Sequence, residues 1–150
     1  MRLRDLLDES VVKTDLESLN KEECFEELID LLVRAGRITD RAGALKAIVD
    51  RETQASTGIG KGVAVPHGKH QSVTALAAAL GISKSGIEFE SVDGQLVHVV
   101  FLILARVDQP GPHVHMLAEI ASLVRTRDFC RKLREAEFAK DVLDILDLVK

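Results

Sequence analysis

Apolar positions follow a helical rhythm at both ends of the chain and run almost without interruption in its middle. Phe25, Leu28, Ile29 and Leu32 fall at i, i+3, i+4 and i+7, one face of a helix. Asn20 with Glu23 resembles a capping box at its start, and Gly36 is a plausible stop. A second helix is expected from about Asp40 to Arg51, burying Leu45, Ile48 and Val49. Two apolar runs follow, Val73 to Ile82 and Leu96 to Ala105, and neither alternates. Such continuity fits strands covered on both faces. Ile87-Glu88-Phe89 is a shorter candidate strand, and Asp93-Gly94 a hairpin-type turn into the second run. Past Pro110-Gly111-Pro112 a helix is expected from near Pro112, with Val114, Leu117, Ala118, Ala121 and Val124 on its apolar face. A shorter helix, Asp128 to Arg134, buries Phe129 and Leu133, and a last one carries Val142, Ile145, Leu146 and Val149. Residues 1–19 read as a short helical turn and an extended piece. The pattern predicts one α/β-type (α+β) domain over residues 1–150, a sheet with helices on each side.

Between the second helix and the first apolar run the pattern breaks into Ser56-Thr57-Gly58-Ile59-Gly60-Lys61-Gly62-Val63-Ala64-Val65-Pro66-His67-Gly68-Lys69. This is a glycine-rich turn, a short apolar strand, and a histidine between a proline and a glycine. Pro66 fixes its own φ and keeps Val65 extended, so the approach to His67 is stiff. Gly68 lacks a Cβ, which lets a bulky group come close just past the imidazole.

Composition narrows the chemistry. Aromatic residues make up 3% of the chain, with no Trp or Tyr, which argues against a stacking platform for single-stranded nucleic acid. A net charge of −4 argues against a duplex-binding surface. No apolar run approaches the roughly 20 residues needed to cross a bilayer, and the first residues lack the apolar core of a signal peptide. Cys24 and Cys130 lie far apart within helical patterns and read as reduced, packed thiols, as in a cytoplasmic chain. The cluster Arg125, Arg127, Arg131, Lys132 and Arg134 reads as a solvated helix face, with an acidic docking partner as the alternative.

The five histidines differ in setting. His98, inside an apolar run, is expected to be a satisfied core or edge residue, and His70 a solvated side chain. His113 and His115 open a helix, where positions two apart point about 200° away from each other, so they cannot face one site together. One of them could face His67; the alternative is that both decorate the helix. Four histidines in two pairs would suit zinc by ligand chemistry, but the geometry splits one pair and no HExxH or cysteine-pair spacing appears. The GxxxxGK[ST] phosphate loop and the GxSxG nucleophile elbow are likewise missing from the sequence. What stays open is a histidine that is itself the nucleophile, with one nitrogen unprotonated and the other N–H held by an acceptor. Donors for a phosphoryl group on it are expected from N–H groups of the glycine-rich loop, a second histidine and a helix N-terminus.

Arg51-Glu52, Ser56-Thr57-Gly58-Ile59-Gly60 and Val63-Ala64-Val65-Pro66-His67-Gly68-Lys69 resemble the active-site signature of enzyme IIA of the bacterial phosphotransferase system, fructose/mannitol type, most closely its nitrogen-related regulatory variant. The likeness extends to Leu16-Glu17-Ser18, Lys21-Glu22, Phe89, Asp93-Gly94 and His113-Val114 with Leu117, over most of residues 10–148. The resemblance implies a mixed sheet flanked by helices, a phosphoryl group carried on His67, and His113 rather than His115 contacting it. Arg51, Ser56, Thr57 and Gly68 would shape the phosphoryl site; Ile59, Val63 and Val65 are candidates for an apolar rim around it, with packing in the core as the alternative. It implies no metal and no organic cofactor. The donor would be the small histidine-containing phosphocarrier protein. The acceptor would be a regulated target in a nitrogen-related role or a IIB domain in sugar uptake. A regulatory binding protein whose partner choice depends on His67 phosphorylation is the alternative of another class. The chain departs from the family pattern in Ala105-Arg106-Val107-Asp108-Gln109, which lacks a proline often found there, and in the Pro-Gly-Pro leading into His113.

Overall fold

A computed structural model describes residues 2–149. The chain opens with α1 (Leu3–Leu6), a 3-10 turn at Glu9–Val11 and the short strand β1 (Val12–Lys13), the helical turn and extended piece that the first residues suggested. In α2 (Lys21–Arg34) the Asn20 side chain accepts the Glu23 N–H at 2.9 Å. The Glu23 carboxylate reaches the N–H of Leu19 at 2.8 Å instead of that of Asn20, so the reciprocal half of the box closes one residue early. The helix ends in a Schellman motif: Gly36 takes φ +74°, and the Arg37 N–H returns to Leu32 O at 2.9 Å. Asp40 caps α3 (Arg41–Gln54) by accepting the Gly43 N–H. That helix outlasts the expected end at Arg51, and its buried face is Ala44, Ile48 and Glu52, with Leu45 and Val49 only half-buried.

The sheet is built from β1, β2 (Gly58–Gly60), β3 (Val63–Ala64), β4 (His67–Lys69), β5 (Ala77–Ile87) and β6 (Val97–Ala105). Its order is β1-β5-β6-β3-β2, with β4 also paired to β6. The sheet is mixed: β5 and β6 form a long antiparallel pair, β3 and β4 run parallel to β6, β1 runs parallel to β5, and β2 turns back on β3. The two apolar runs are thus the central hairpin, as their continuity predicted. The first run becomes strand only from Ala77, and Val73 instead closes a turn on His70 O. Ile87 ends β5 across an irregularity in register, and Glu88 and Phe89 form no strand of their own. Gly86 at φ +90° and Glu90 at φ +55° bend the chain out of the ladder there. Phe89 is still buried, its ring edge-on to Phe25 at 5.9 Å. The Asp93-Gly94 turn is present, with Gly94 at φ +70°.

After β6 come α4 (Pro110–Arg125), α5 (Phe129–Glu135) and α6 (Ala139–Leu148). Pro110, not Pro112, starts α4. Its core face is Met116 and Ile120; of the expected Val114, Leu117, Ala118, Ala121 and Val124, Leu117 and Val124 pack partly buried against the core, while Val114 is 64% exposed and Ala118 is exposed, so the buried face is rotated away from those two. Val114 and the alanines offer little apolar area. Met116 and Ile120 offer more, and the helix turns them inward. Phe129 and Leu133 of α5 are buried as expected; α6 buries Val142, Leu143 and Leu146. α2 and α3 pack on one another and on β5 and β4, and the remaining helices lie against β6, β5 and β1 on the opposite face. Both cysteines are free thiols, and burial pushes that of Cys24 up to about 12.

Candidate functional site

β3 and β4 are one strand interrupted at Val65-Pro66. Val63 and Ala64 lie opposite Val99 and Val100, and His67 lies opposite Ile103, the same register on both sides of the break. Pro66 has no N–H to lose from the ladder, and its carbonyl still accepts from Ile103 at 3.0 Å. The Val65 N–H turns away from β6 to Thr57 O at 2.9 Å. The Val65 carbonyl is therefore free to face the next side chain but one, and it accepts from His67 Nδ1 at 2.8 Å. A carbonyl can only accept, so Nδ1 carries the hydrogen and Nε2 of the neutral ring carries the lone pair. Burial lowers the pKa of the half-buried His67, and the positive charge of Arg51 adds to this. The bond to Val65 and the charge of Glu52 act in the opposite direction. At neutral pH the ring is neutral, with Nε2 a free base.

His113 comes from the first turns of α4. Its ring centre stands 5.4 Å from that of His67, with the planes at 70°. Its Nε2 is sealed from solvent and has no hydrogen-bond partner among the described residues. Burial, His67 and Lys69, in that order, lower its pKa. His115 is exposed. His98 donates Nδ1–H to Ser83 O at 2.9 Å, a satisfied histidine as its position suggested. His70 is half-buried, its Nδ1 held by Ser72. Among the described residues, no three His, Cys, Asp or Glu side chains converge as a metal site requires.

Because both ring pKa values are lowered, the imidazole protons of His67 and His113 are expected to titrate by NMR with midpoints below 6.5. The His113 midpoint should move up in His67→Gln, where the neighbouring charge is gone. The folded state binds these protons less readily than the unfolded chain. The associated stability is therefore complete above about pH 6.5 and is lost as pH falls through the folded midpoints. Urea midpoints measured from pH 7.5 to 5.5 should decline accordingly.

Gly68 admits α3. A Cβ there would lie 3.0 Å from the carbonyl carbon and oxygen of Ala47, so the close neighbour past the imidazole is helix backbone. That contact sets the C-terminal half of α3 behind His67 and brings Arg51 near enough to act on its charge. One Arg51 nitrogen, Nη1, donates to Ala55 O at 2.9 Å.

Several expected contributors are committed elsewhere. The Ser56 hydroxyl donates to Phe89 O and accepts from Gly58 N–H, and buried Thr57 gives both its N–H and its hydroxyl to Glu52. The Lys61 N–H goes to Asp93 at 2.9 Å. The N–H groups of Thr57, Gly58 and Lys61 are thus spent on the fold and form no cradle. The start of α4 is also poor in donors, since Pro110 and Pro112 carry no N–H. Of the expected rim, Val63 and Val65 are core residues, while Ile59 is 45% exposed. Val114, next after His113 and expected on the core face from its spacing, is 64% exposed. Glu52 was visible in sequence only as part of the Arg51-Glu52 pair. Its further signal is a carboxylate in the last turn of a helix, where the dipole disfavours it.

A sequence model of the phosphoenolpyruvate-dependent sugar phosphotransferase system, EIIA 2, matches residues 5–148. The chain is 38% identical over 147 residues to the fructose-specific EIIABC component of the phosphotransferase system of Bacillus subtilis, covering 98% of this chain but only 23% of that protein. It is 36% identical over 126 residues to the fructose-specific EIIA component of Haloferax volcanii, covering 84% and 82% of the two chains. Its fold is similar to that of the crystal structure of nitrogen regulatory protein IIA-Ntr from Neisseria meningitidis, with a TM-score of 0.88 and 29% identity over 96% of this chain and 98% of that one.

Proposed function

The chain belongs to the EIIA 2 family of the phosphoenolpyruvate-dependent sugar phosphotransferase system, and from that membership we propose that it is a phosphohistidine carrier loaded at Nε2 of His67. The hydrogen bond from His67 Nδ1 to Val65 O carries this reading, because it leaves Nε2 as the nucleophile. The lone pair of Nε2 attacks phosphorus on the phosphohistidine of the small phosphocarrier protein. The donor's P–N bond breaks as the new one forms, and its electron pair returns to the donor imidazole. No proton has to move on His67, since Nδ1–H stays on Val65 throughout. His113 and Arg51 supply hydrogen-bond donors and positive charge to the phosphoryl oxygens. Gly68, Ser56 and Thr57 support the site through the backbone. Ile59 and Val114 present apolar surface that a docked partner would cover, which would keep water from the P–N bond. Among the described residues no helix is long and apolar enough to cross a membrane, and the carrier is proposed to work in the cytoplasm.

Two acceptors are consistent with this chemistry. The identity to fructose-specific components supports transfer to a IIB domain in sugar uptake. The likeness to a nitrogen regulatory protein along nearly its whole length supports a regulatory role, in which the added charge on His67 changes which target is bound. The first test is phosphoenolpyruvate with the general phosphotransferase proteins. The wild-type chain should take up one phosphoryl group that is acid-labile and base-stable. 15N-coupled 31P NMR should place it on Nε2. No label with cognate donors present, or a label on Nδ1, would overturn the reading.

A further inference from the structure

We propose that Glu52 is a positioning residue for His67, acting through Thr57 and Val65 and not by touching the phosphoryl group. Four hydrogen bonds, in three steps, join the two side chains. The Glu52 carboxylate accepts Thr57 N–H at 3.0 Å and Thr57 Oγ1–H at 2.6 Å. Thr57 O accepts Val65 N–H at 2.9 Å, and Val65 O accepts His67 Nδ1–H at 2.8 Å. Val65 is the link that needs holding. The residues flanking the Val65-Pro66 break are laddered to β6, but the Val65 N–H is held only from the side of Thr57. The direction of the carbonyl that fixes the His67 tautomer therefore follows the position of Thr57. Thr57 lies between α3 and β2, where Glu52 binds it twice.

The placement of Glu52 breaks local rules in a way that this role explains. Its side chain is 5% exposed, and burying a carboxylate is costly. It also lies in the last turn of α3, where the helix dipole opposes a negative charge. Lys21, at the first position of α2, is misplaced by the same rule with the opposite sign. The two ammonium and carboxylate groups are 3.5 Å apart, and Lys21 is 3.2 Å from Glu90 as well. Two charges that each oppose their own helix are thus turned toward one another above Thr57. A leucine at position 52 would satisfy the helix and the core but would release both Thr57 donors. Rule-breaking of this kind concentrates at functional sites.

The proposal rests on the phosphocarrier reading only for the meaning of a transfer rate; the tautomer is read without any phosphoryl donor. Two-bond 1H–15N correlation at pH 8 would report the His67 tautomer in wild type, Thr57→Ser and Glu52→Gln, with the transfer rate measured alongside. Wild type and Thr57→Ser, which keeps both donors, should hold the Nδ1–H form. Glutamine has one acceptor atom where the carboxylate has two, so the Thr57 hydroxyl bond must reverse or break, and the charge that faces Lys21 is gone; Thr57 is held less firmly, and Glu52→Gln should show a mixture containing the Nε2–H form. Its phosphorylation should slow about tenfold to a hundredfold, the loss expected from a small misplacement of a reacting group. A Glu52→Gln protein with the wild-type tautomer would overturn the proposal, whatever its rate. Should circular dichroism show that variant unfolded, Thr57→Val removes only the hydroxyl link. It should shift the tautomer in the same direction by less, and an unchanged tautomer there would overturn the proposal equally. A shifted tautomer in a protein whose wild type takes no label would uphold Glu52 and sink the phosphocarrier reading instead.

Discussion

A His67→Ala protein is expected to take no phosphoryl label from phosphoenolpyruvate and the general phosphotransferase proteins, while remaining folded. The loss should be complete because no other histidine combines the same features. His98 makes the same kind of bond, to Ser83 O, but among the described residues no second histidine stands beside its ring; His70 Nδ1 is already an acceptor for the Ser72 N–H, and His115 is exposed and, among the described residues, has no hydrogen-bond partner. His113 is close, but its Nε2 is shut off from solvent and its pKa is lowered by burial and by His67 itself. The fold should survive because His67 is only half-buried and its ring makes a single hydrogen bond, worth about 1 kcal/mol. Thermal unfolding and circular dichroism should therefore differ little from wild type. Stoichiometric label on a folded His67→Ala protein would show that the chemistry lies elsewhere. The same substitution would separate the two acceptor roles. A sugar-uptake carrier would lose all transfer to a IIB domain. A regulatory protein would be fixed in its unphosphorylated binding mode and would keep the partners of that mode.

The legible parts of this fold were those written in local rules. Asn20, Gly36 and Asp40 are cap residues whose side chains or backbone do what their positions require, and the boundaries of α2 and the start of α3 followed from them. The continuous runs gave the β5–β6 pair because burial on both faces leaves no polar alternation to misread. The errors occurred where tertiary contacts decide. The expected face of α4 holds at Leu117 and Val124 and fails at Val114 and Ala118, small side chains that imitate a stripe by their spacing, while Met116 and Ile120 carry the area that packs. Val63 and Val65 read as rim because they flank the histidine in sequence. Val63, in β3, and Val65, at the break that follows it, are instead buried in the core. The site divided in the same way. His67 was visible from Pro66 and Gly68 alone, and its pairing with His113 came through resemblance. The commitment of the loop N–H groups to Glu52, Ser56 and Asp93 was not legible, because it depends on side chains from α3 and from the turn before β6. The reason for Gly68 was only half legible: sequence called for a close neighbour, and the fold supplies the backbone of Ala47.

With the loop amides engaged and two of the first residues of α4 being prolines, the burden on His113 grows, and His113→Ala is expected to slow phosphoryl uptake by about 10²–10³-fold, the effect of removing one donor from a preorganised anion site. An unpartnered buried nitrogen such as His113 Nε2 costs a folded protein about 1–3 kcal/mol. That cost is offset once a phosphoryl oxygen arrives to accept from it. The free-state variant should accordingly be within about 1 kcal/mol of wild type in stability, since the ring it loses is half-buried and carries an unmet polar atom. Phosphorylation should also reverse the electrostatics. Burial and the neighbouring His67 and Lys69 hold the His113 pKa down in the free protein, and a phosphoryl group bearing close to two negative charges beside it should raise the midpoint above 6.5. His113→Gln, which retains a donor but cannot gain a proton, should fall between wild type and alanine in rate and should shorten the lifetime of the phosphohistidine less than alanine does. Stopped-flow transfer from the labelled phosphocarrier protein would measure the rates, and NMR of the His113 ring before and after loading would measure the pKa. A His113→Ala protein that loads at the wild-type rate, or a His113 midpoint that stays below 6.5 after loading, would mean that the phosphoryl group does not occupy the space between the two rings. Arg51, whose charge acts on His67, would then be the next residue to test as its stabiliser.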